Sequence, residues 1–269
     1  MRRPATSTPA RAAVLCALIQ LAAGPAVAWT PDMDERVARE AVRLMPRSLR
    51  GILETHVGQV VAGARTAGGD EDSLLHNLDS DRPGASAATK IDALAREIVE
   101  MIDRHRPFAE VSRAMGALAH FAGDLNNPLR VSSADDGELR YAGDYAVYAE
   151  SNLSRFPLVF YGWEDANLDR PEPDLRGFAL ETARRTRRYY RHIASAYDAS
   201  NPTPLKRRFD VRSLPFGIAS IGYSRSVTDT ARLWLHVWKR ANGDTRGTPY
   251  MVAKTQEPRT AGAAAGGTP

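Results

Sequence analysis

The run from Ala114 to Arg130, AMGALAHFAGDLNNPLR, limits more than any other stretch what this chain can fold into. Met115, Leu118, Ala119, Ala122 and Leu125 recur at helical spacing, so the run predicts an apolar helix. Pro128 lacks an N–H and disfavours the α conformation in the residue before it, so the helix must end near Asn126-Asn127. Two polar side chains interrupt this apolar surface, His120 and Asp124. They are four residues apart and project from one face, one turn above the other. Such a pair is either a hydrogen-bonded core pair, because buried polar groups find partners, or a ligand pair. Imidazole and carboxylate at this spacing can hold one divalent metal from a single rigid helix.

The flanking sequence is helical throughout. Val37, Ala38, Ala41, Val42 and Met45 predict a helix from Asp34 to Met45 closed by Pro46, and a second follows from Leu49 to about Val61. Asp32 and Asp34 suit a helix N-terminus, where acids favour the dipole, and either also offers an oxygen ligand. Ile91, Leu94, Ala95, Ile98, Met101 and Ile102 form the stripe of a helix over Thr89 to His105. Asp174 to Tyr197 reads as one long helix whose arginines (184, 185, 187, 188, 191) make either a solvated face or a phosphate-binding one. Val227, Ala231, Leu235 and Trp238 line the last helix within Leu214 to Ala241. The fold class is therefore all-α, a single multi-helix domain over residues 29–241. Residues 242–269 lose the apolar period and are expected to be a disordered tail.

Residues 1–28 have the composition of a secretory signal peptide: Arg2, Arg3 and Arg11, a mostly apolar run from Ala12 to Ala23, and Ala26-Val27-Ala28 as a small-x-small cleavage site. The apolar run is too short and wrongly flanked for a membrane span. The expectation is a secreted or periplasmic protein without a transmembrane segment after cleavage. The chain's one cysteine, Cys16, lies in this leader, so disulfides and thiol ligands drop out of the mature chain. The leader also carries three arginines and no acids. Its removal leaves 33 basic against 32 acidic residues, too even a balance to imply a stable nucleic-acid partner.

Between the second and third helices, Gly63, Gly68 and Gly69 mark a loop that ends in Asp70-Glu71-Asp72-Ser-Leu-Leu-His76. An acidic loop is a solvated turn or the rim of a site. The two readings separate only when several such groups are taken together.

His120-x3-Asp124-x3-Pro128-Leu129 resembles the helix signature of the zinc-dependent phospholipase C and single-strand nuclease superfamily. Ala-x-Ala followed directly by Trp29 is a second match, and Ser224 to Trp234 is similar to the family's closing helix. The resemblance implies an all-α fold and a phosphodiester substrate, phospholipid or nucleotide. It also implies zinc ligands: Trp29 through a freed amine and its carbonyl, His76, His120, Asp124 as a bridge, and Glu150. Asp70 or Asp72 would be a metal ligand or general base. The chain departs from the pattern at three histidines. One is missing near 32–34; Arg130 stands where the second would be, and Ala146 where a His four residues before Glu150 would be. Arg130 would then bind substrate, or fill a vacated metal position through a salt bridge to Asp124. Fewer imidazoles imply one or two zinc ions rather than three. The expected function is a secreted, zinc-dependent, phospholipase C-like phosphodiester hydrolase with a reduced metal site. The other reading is an inactive relative that serves as a binding or structural protein.

Overall fold

The computed structural model describes residues 29–66, 87–131, 136–199 and 209–251. They form helices α1 (Pro31–Arg43), α2 (Arg47–Thr55), α3 (Val57–Thr66), α4 (Ala87–Asp103), α5 (Phe108–Asp124), α6 (Asp136–Ser151), α7 (Leu175–Arg187), α8 (Tyr190–Ala199) and α9 (Leu214–Arg240), with a 3₁₀ turn at Leu153–Arg155. There is no strand among the described residues, and the fold class is all-α as expected. No helix among them is long and apolar enough to cross a membrane.

Caps explain the ends of the helices that matter most. The Thr30 side chain accepts from the Met33 amide and Pro31 follows at the first helical position, so α1 starts three residues before the predicted Asp34. Ser213 caps α9 in the same way, accepting from the Phe216 amide, with Pro215 at the second helical position. Asn242 then leaves α9 in the left-handed conformation, φ 55°, and Gly243 donates back to the Trp238 carbonyl.

The α5 helix lies at the centre, packed by α1, α3, α4 and α9. Its closest neighbour is α3, and here a sequence reading fails. Gly63 does not open a loop; it lies inside α3. A Cβ at Gly63 would collide with the Arg113 carbonyl of α5, and one at Gly116 of α5 would collide with the Val60 carbonyl of α3. These glycines let two helix backbones touch. Gly→Ala inside a helix ordinarily stabilises by up to about 1 kcal/mol. That is the expected sign at Gly51, where a new methyl meets nothing within 4 Å. At Gly116 the sign should reverse, to a loss of about 2–3 kcal/mol, because backbone must move to admit the methyl. Urea unfolding of the two single variants checks the contrast, and equal effects at both positions would refute the close-approach explanation.

Two other expectations are corrected. The helix predicted from Leu49 to Val61 is two helices that break at His56. The one predicted from Asp174 to Tyr197 is α7 and α8, which part around Arg188 and Tyr189. The halves follow different neighbours, α7 packing on α4 while α8 packs on α6 and α9. Reciprocal bonds hold the α6–α8 face: Tyr141 donates to Asp198 and Tyr197 to Asp144, both at 2.6 Å, with the Tyr141 and Tyr197 rings stacked at 4.4 Å. Residues 242–251, expected to open a structureless tail, are bonded to the body instead. Asp244 accepts from Trp238 Nε1 and Ser48 Oγ, and Pro249 from Trp163 Nε1.

Candidate functional site

His120 and Asp124 occupy the last turns of α5, and only 5% and 2% of their respective surfaces reach solvent. His120 Nε2 faces Asp124 Oδ2 at 3.7 Å. The other ring nitrogen is engaged as well: Nδ1 lies 2.9 Å from Oδ2 of Asp34. A carboxylate only accepts, so Nδ1 carries the proton and donates it. Asp34 is in the first turn of α1, itself buried, and sits 86 residues away in sequence. Asp32, two residues earlier and on another face, pairs with Arg65 at the surface, 2.9 Å away. Of the two acids weighed at this helix start, Asp34 alone enters the site.

Burial by itself would push the imidazole down. The carboxylates of Asp124 and Asp34, together with the Asp34 hydrogen bond, outweigh burial and the nearby Arg130 guanidinium, raising His120 from 6.5 to about 9. The site is a buried row of carboxylate, imidazole and carboxylate.

The start of the described chain is seated beside it. Trp29 is fully buried, and its indole N–H donates to the Gly123 carbonyl at 3.0 Å, one residue from Asp124. Gly123 borders both groups: a Cβ on it would lie at ordinary contact distance, 3.4 Å from Asp34 Oδ1 and 3.5 Å from Trp29 Cδ1. Opposite stands Tyr145 of α6, fully buried, its ring 6.3 Å from that of Trp29 and its hydroxyl donating to the Pro215 carbonyl. Ala146, which stands at a position where the resembled family has a ligating His, is thus next to an aromatic core residue. Glu150 is half-buried in the last turn of α6 and has no hydrogen bond or ion pair to either His120 or Asp124.

Arg130 follows the α5 turn. No salt bridge joins it to Asp124; among the described residues its guanidinium has no hydrogen-bond or ion-pair partner, and its Nε is buried. Its charge is nonetheless close enough to His120 to oppose protonation there. Asp70, Asp72 and His76 lie outside the described residues.

A second buried cluster abuts the first, and sequence reasoning had assigned it no role. Asp229 of α9, 1% exposed, accepts from Arg185 Nη2 at 2.8 Å, Asn126 Nδ2 at 3.0 Å and Arg232 Nη1 at 3.3 Å. Arg232 also donates to the carbonyls of Gly162 and Tyr161. Arg185, one of the arginines of the run expected to be a solvated or phosphate-binding face, instead turns inward to Asp229. A cavity of about 350 Å³ lined by Asp92, Arg96, His236 and Arg240 uses a different set of side chains from the His120 row.

Fit to zinc can be judged from these atoms. Tetrahedral zinc with nitrogen and oxygen ligands at about 2.0–2.2 Å separates its donors by about 3.4 Å. The Nε2–Oδ2 spacing is within a few tenths of that, and Asp34 supplies the carboxylate that orients many metal-binding imidazoles from behind. Two donors are not a full site, and among the described residues no group of three or more His, Cys, Asp or Glu could hold a metal ion. The described residues thus fit one side of a zinc ion.

No protein-family model matches the sequence, and no curated protein matches it. The structure is similar to that of alpha-toxin from an avian strain of Clostridium perfringens, with a TM-score of 0.61 at 14% identity over 81% of this chain and 66% of the toxin chain. It is similar to the alpha toxin of Clostridium absonum in the same way, with a TM-score of 0.60 at 16% identity over 81% and 65%. The chain spans about two-thirds of the length of those toxins. At such identity the likeness is one of fold.

Proposed function

We propose that this chain is an exported, metal-dependent phosphodiester hydrolase of phospholipase C type, with a metal site reduced to one or two ions. One observation carries the reading: a buried imidazole and carboxylate, at ligand spacing on the central helix, are backed by a second carboxylate. The toxin-like fold supports it, as does the His-x3-Asp-x3-Pro-Leu motif that contains the pair.

His120 Nε2 and Asp124 Oδ2 would be the donors on α5. The seated Trp29 favours a contribution from its amine if the leader is cleaved at Ala28, and His76 with Asp70 or Asp72 would complete the set. A bound zinc ion would supply an activated water at neutral pH and neutralise charge on phosphoryl oxygens. The residues do the rest. Asp34 and Asp124 fix the ring between them. The Arg130 guanidinium, with no protein partner among the described residues, is the cation available to hold a phosphate oxygen. Burial of the row keeps bulk water from competing for the donors.

The test is retained zinc in the mature protein, with hydrolysis of bis(p-nitrophenyl) phosphate before and after chelation and after zinc is restored. Turnover abolished by chelator and by Asp124→Asn is expected. Phosphatidylcholine vesicles and single-stranded DNA, assayed side by side, separate the phospholipid from the nucleotide substrate. A second reading rests on the row's being satisfied without an ion, since an imidazolium between two carboxylates is already paired. A protein that retains no zinc, shows no chelator-sensitive turnover and melts at the same temperature with and without chelator would be that binding or structural relative.

A further inference from the structure

From the position of Asp34 we infer that it is a positioning residue: it fixes the tautomer and tilt of His120 through Nδ1, so that Nε2 is aimed at Asp124 and at whatever lies between them. The inference rests on the proposed metal site but reaches a residue which that site's motif does not include.

Three features of the geometry support it. Asp34 Oδ2 lies 2.9 Å from Nδ1, whereas Nε2 lies on the other side of the ring, toward Asp124. A carboxylate at Nδ1 leaves Nε2 as the only ring nitrogen with a lone pair to give when the ring is neutral. The carboxylate is itself held in place. Asp34 is in the capped first turn of α1, its amide donates to the Thr30 carbonyl at 3.0 Å, and only 4% of it reaches solvent. Finally, Gly123 of α5 borders both the Asp34 carboxylate and the Trp29 ring, so the last turns of α5 lie against the acid that holds His120. The acid of α1 thus reaches the imidazole of α5 and supports it from the side away from Asp124.

The experiment compares the full mature protein with Asp34→Ala, Asp34→Asn and, as a surface control, Asp32→Asn. Zinc affinity is read by competition with a chromogenic chelator. The Nδ1–H of His120, distinguished from its Nε2–H by couplings within the ring, is read by proton–nitrogen NMR of histidine-labelled, metal-free protein. Wild type should show a His120 Nδ1–H protected from exchange. Asp34→Ala should lose that signal and bind zinc about 10- to 100-fold more weakly. Asp34→Asn, whose amide oxygen can still accept from Nδ1–H, should keep the signal and recover most of the affinity, and Asp32→Asn should match wild type. Asp34→Asn also carries the test if the alanine variant does not fold.

A protected Nδ1–H signal that survives in Asp34→Ala, or is absent from wild type, overturns the inference. So does an asparagine variant that keeps the signal yet binds zinc as weakly as the alanine variant, since that would make Asp34 a direct ligand. If wild type binds no zinc, the hydrolase reading fails, while the NMR arm still decides what Asp34 does.

Discussion

Replacing Asp229 with alanine is expected to cost on the order of 3–5 kcal/mol of stability, the range seen when one member of a buried ion cluster is removed and its partners stay behind. The partners here are two guanidinium groups and an amide. Arg232, whose side chain is 9% exposed, cannot easily swing into water, because its other N–H groups are tied to the Gly162 and Tyr161 carbonyls. Arg185 is 28% exposed and can partly escape, so Arg185→Ala should cost clearly less. Asp229→Asn keeps the acceptor oxygen but loses the charge, and should fall between wild type and the alanine variant. Through Asp229 the α9 helix is joined to α7 and to Asn126, two residues beyond Asp124, and Arg232, held by Asp229, joins it to the 161–162 segment. Loss of the hub should therefore also loosen the end of α5, and zinc affinity should drop with stability. Urea titrations of the three variants measure the effect. A loss below about 1 kcal/mol for Asp229→Ala would show that the cluster relaxes into solvent and supports nothing.

How far this arrangement could be read beforehand depends on what periodicity encodes. A stripe of apolar residues tells which face of one helix is inside, and on that basis α1, α4, α5 and α9 were legible, as was the shared face of His120 and Asp124. It does not tell what stands opposite. Asp34 is one turn before Ala38 on the buried stripe of α1, so its burial was present in the spacing; its partner on α5 was not. Gly63 carries the same letter whether it breaks a helix or lets another backbone approach, and only the Arg113 carbonyl beside it distinguishes the two. The junction of α7 and α8 lies where helical spacing runs on without interruption, because each half obeys the same period while packing on different helices. Arg185 sat within a run of arginines that composition treats alike. Its inward turn follows from Asp229, 44 residues later, a residue that looked like one more polar position in a Ser- and Thr-rich helix.

Metal affinity should be steeply pH-dependent. A zinc ion can take His120 Nε2 only after that nitrogen has given up its proton, and the two carboxylates hold the ring protonated up to about 9. The apparent affinity should thus rise about tenfold per pH unit from neutrality, flattening near pH 9. The metal-free protein should behave in the opposite sense. A histidine whose folded value lies above its unfolded 6.5 stabilises the fold fully below pH 6.5, and that stability is lost as pH rises through 9. The difference corresponds to about 3 kcal/mol. His236, pushed down by burial and by Arg240 and Lys239, titrates below this window and does not blur it. Melting curves of chelator-treated protein between pH 6.5 and 9 should fall with pH, and the slope should flatten in His120→Gln. With zinc present the melting temperature should hold or rise over the same range, because the ion replaces the proton that left. Parallel curves with and without zinc would mean that the ring between Asp34 and Asp124 never binds the ion, and the row would then be a buried ion pair that ties α1 to α5.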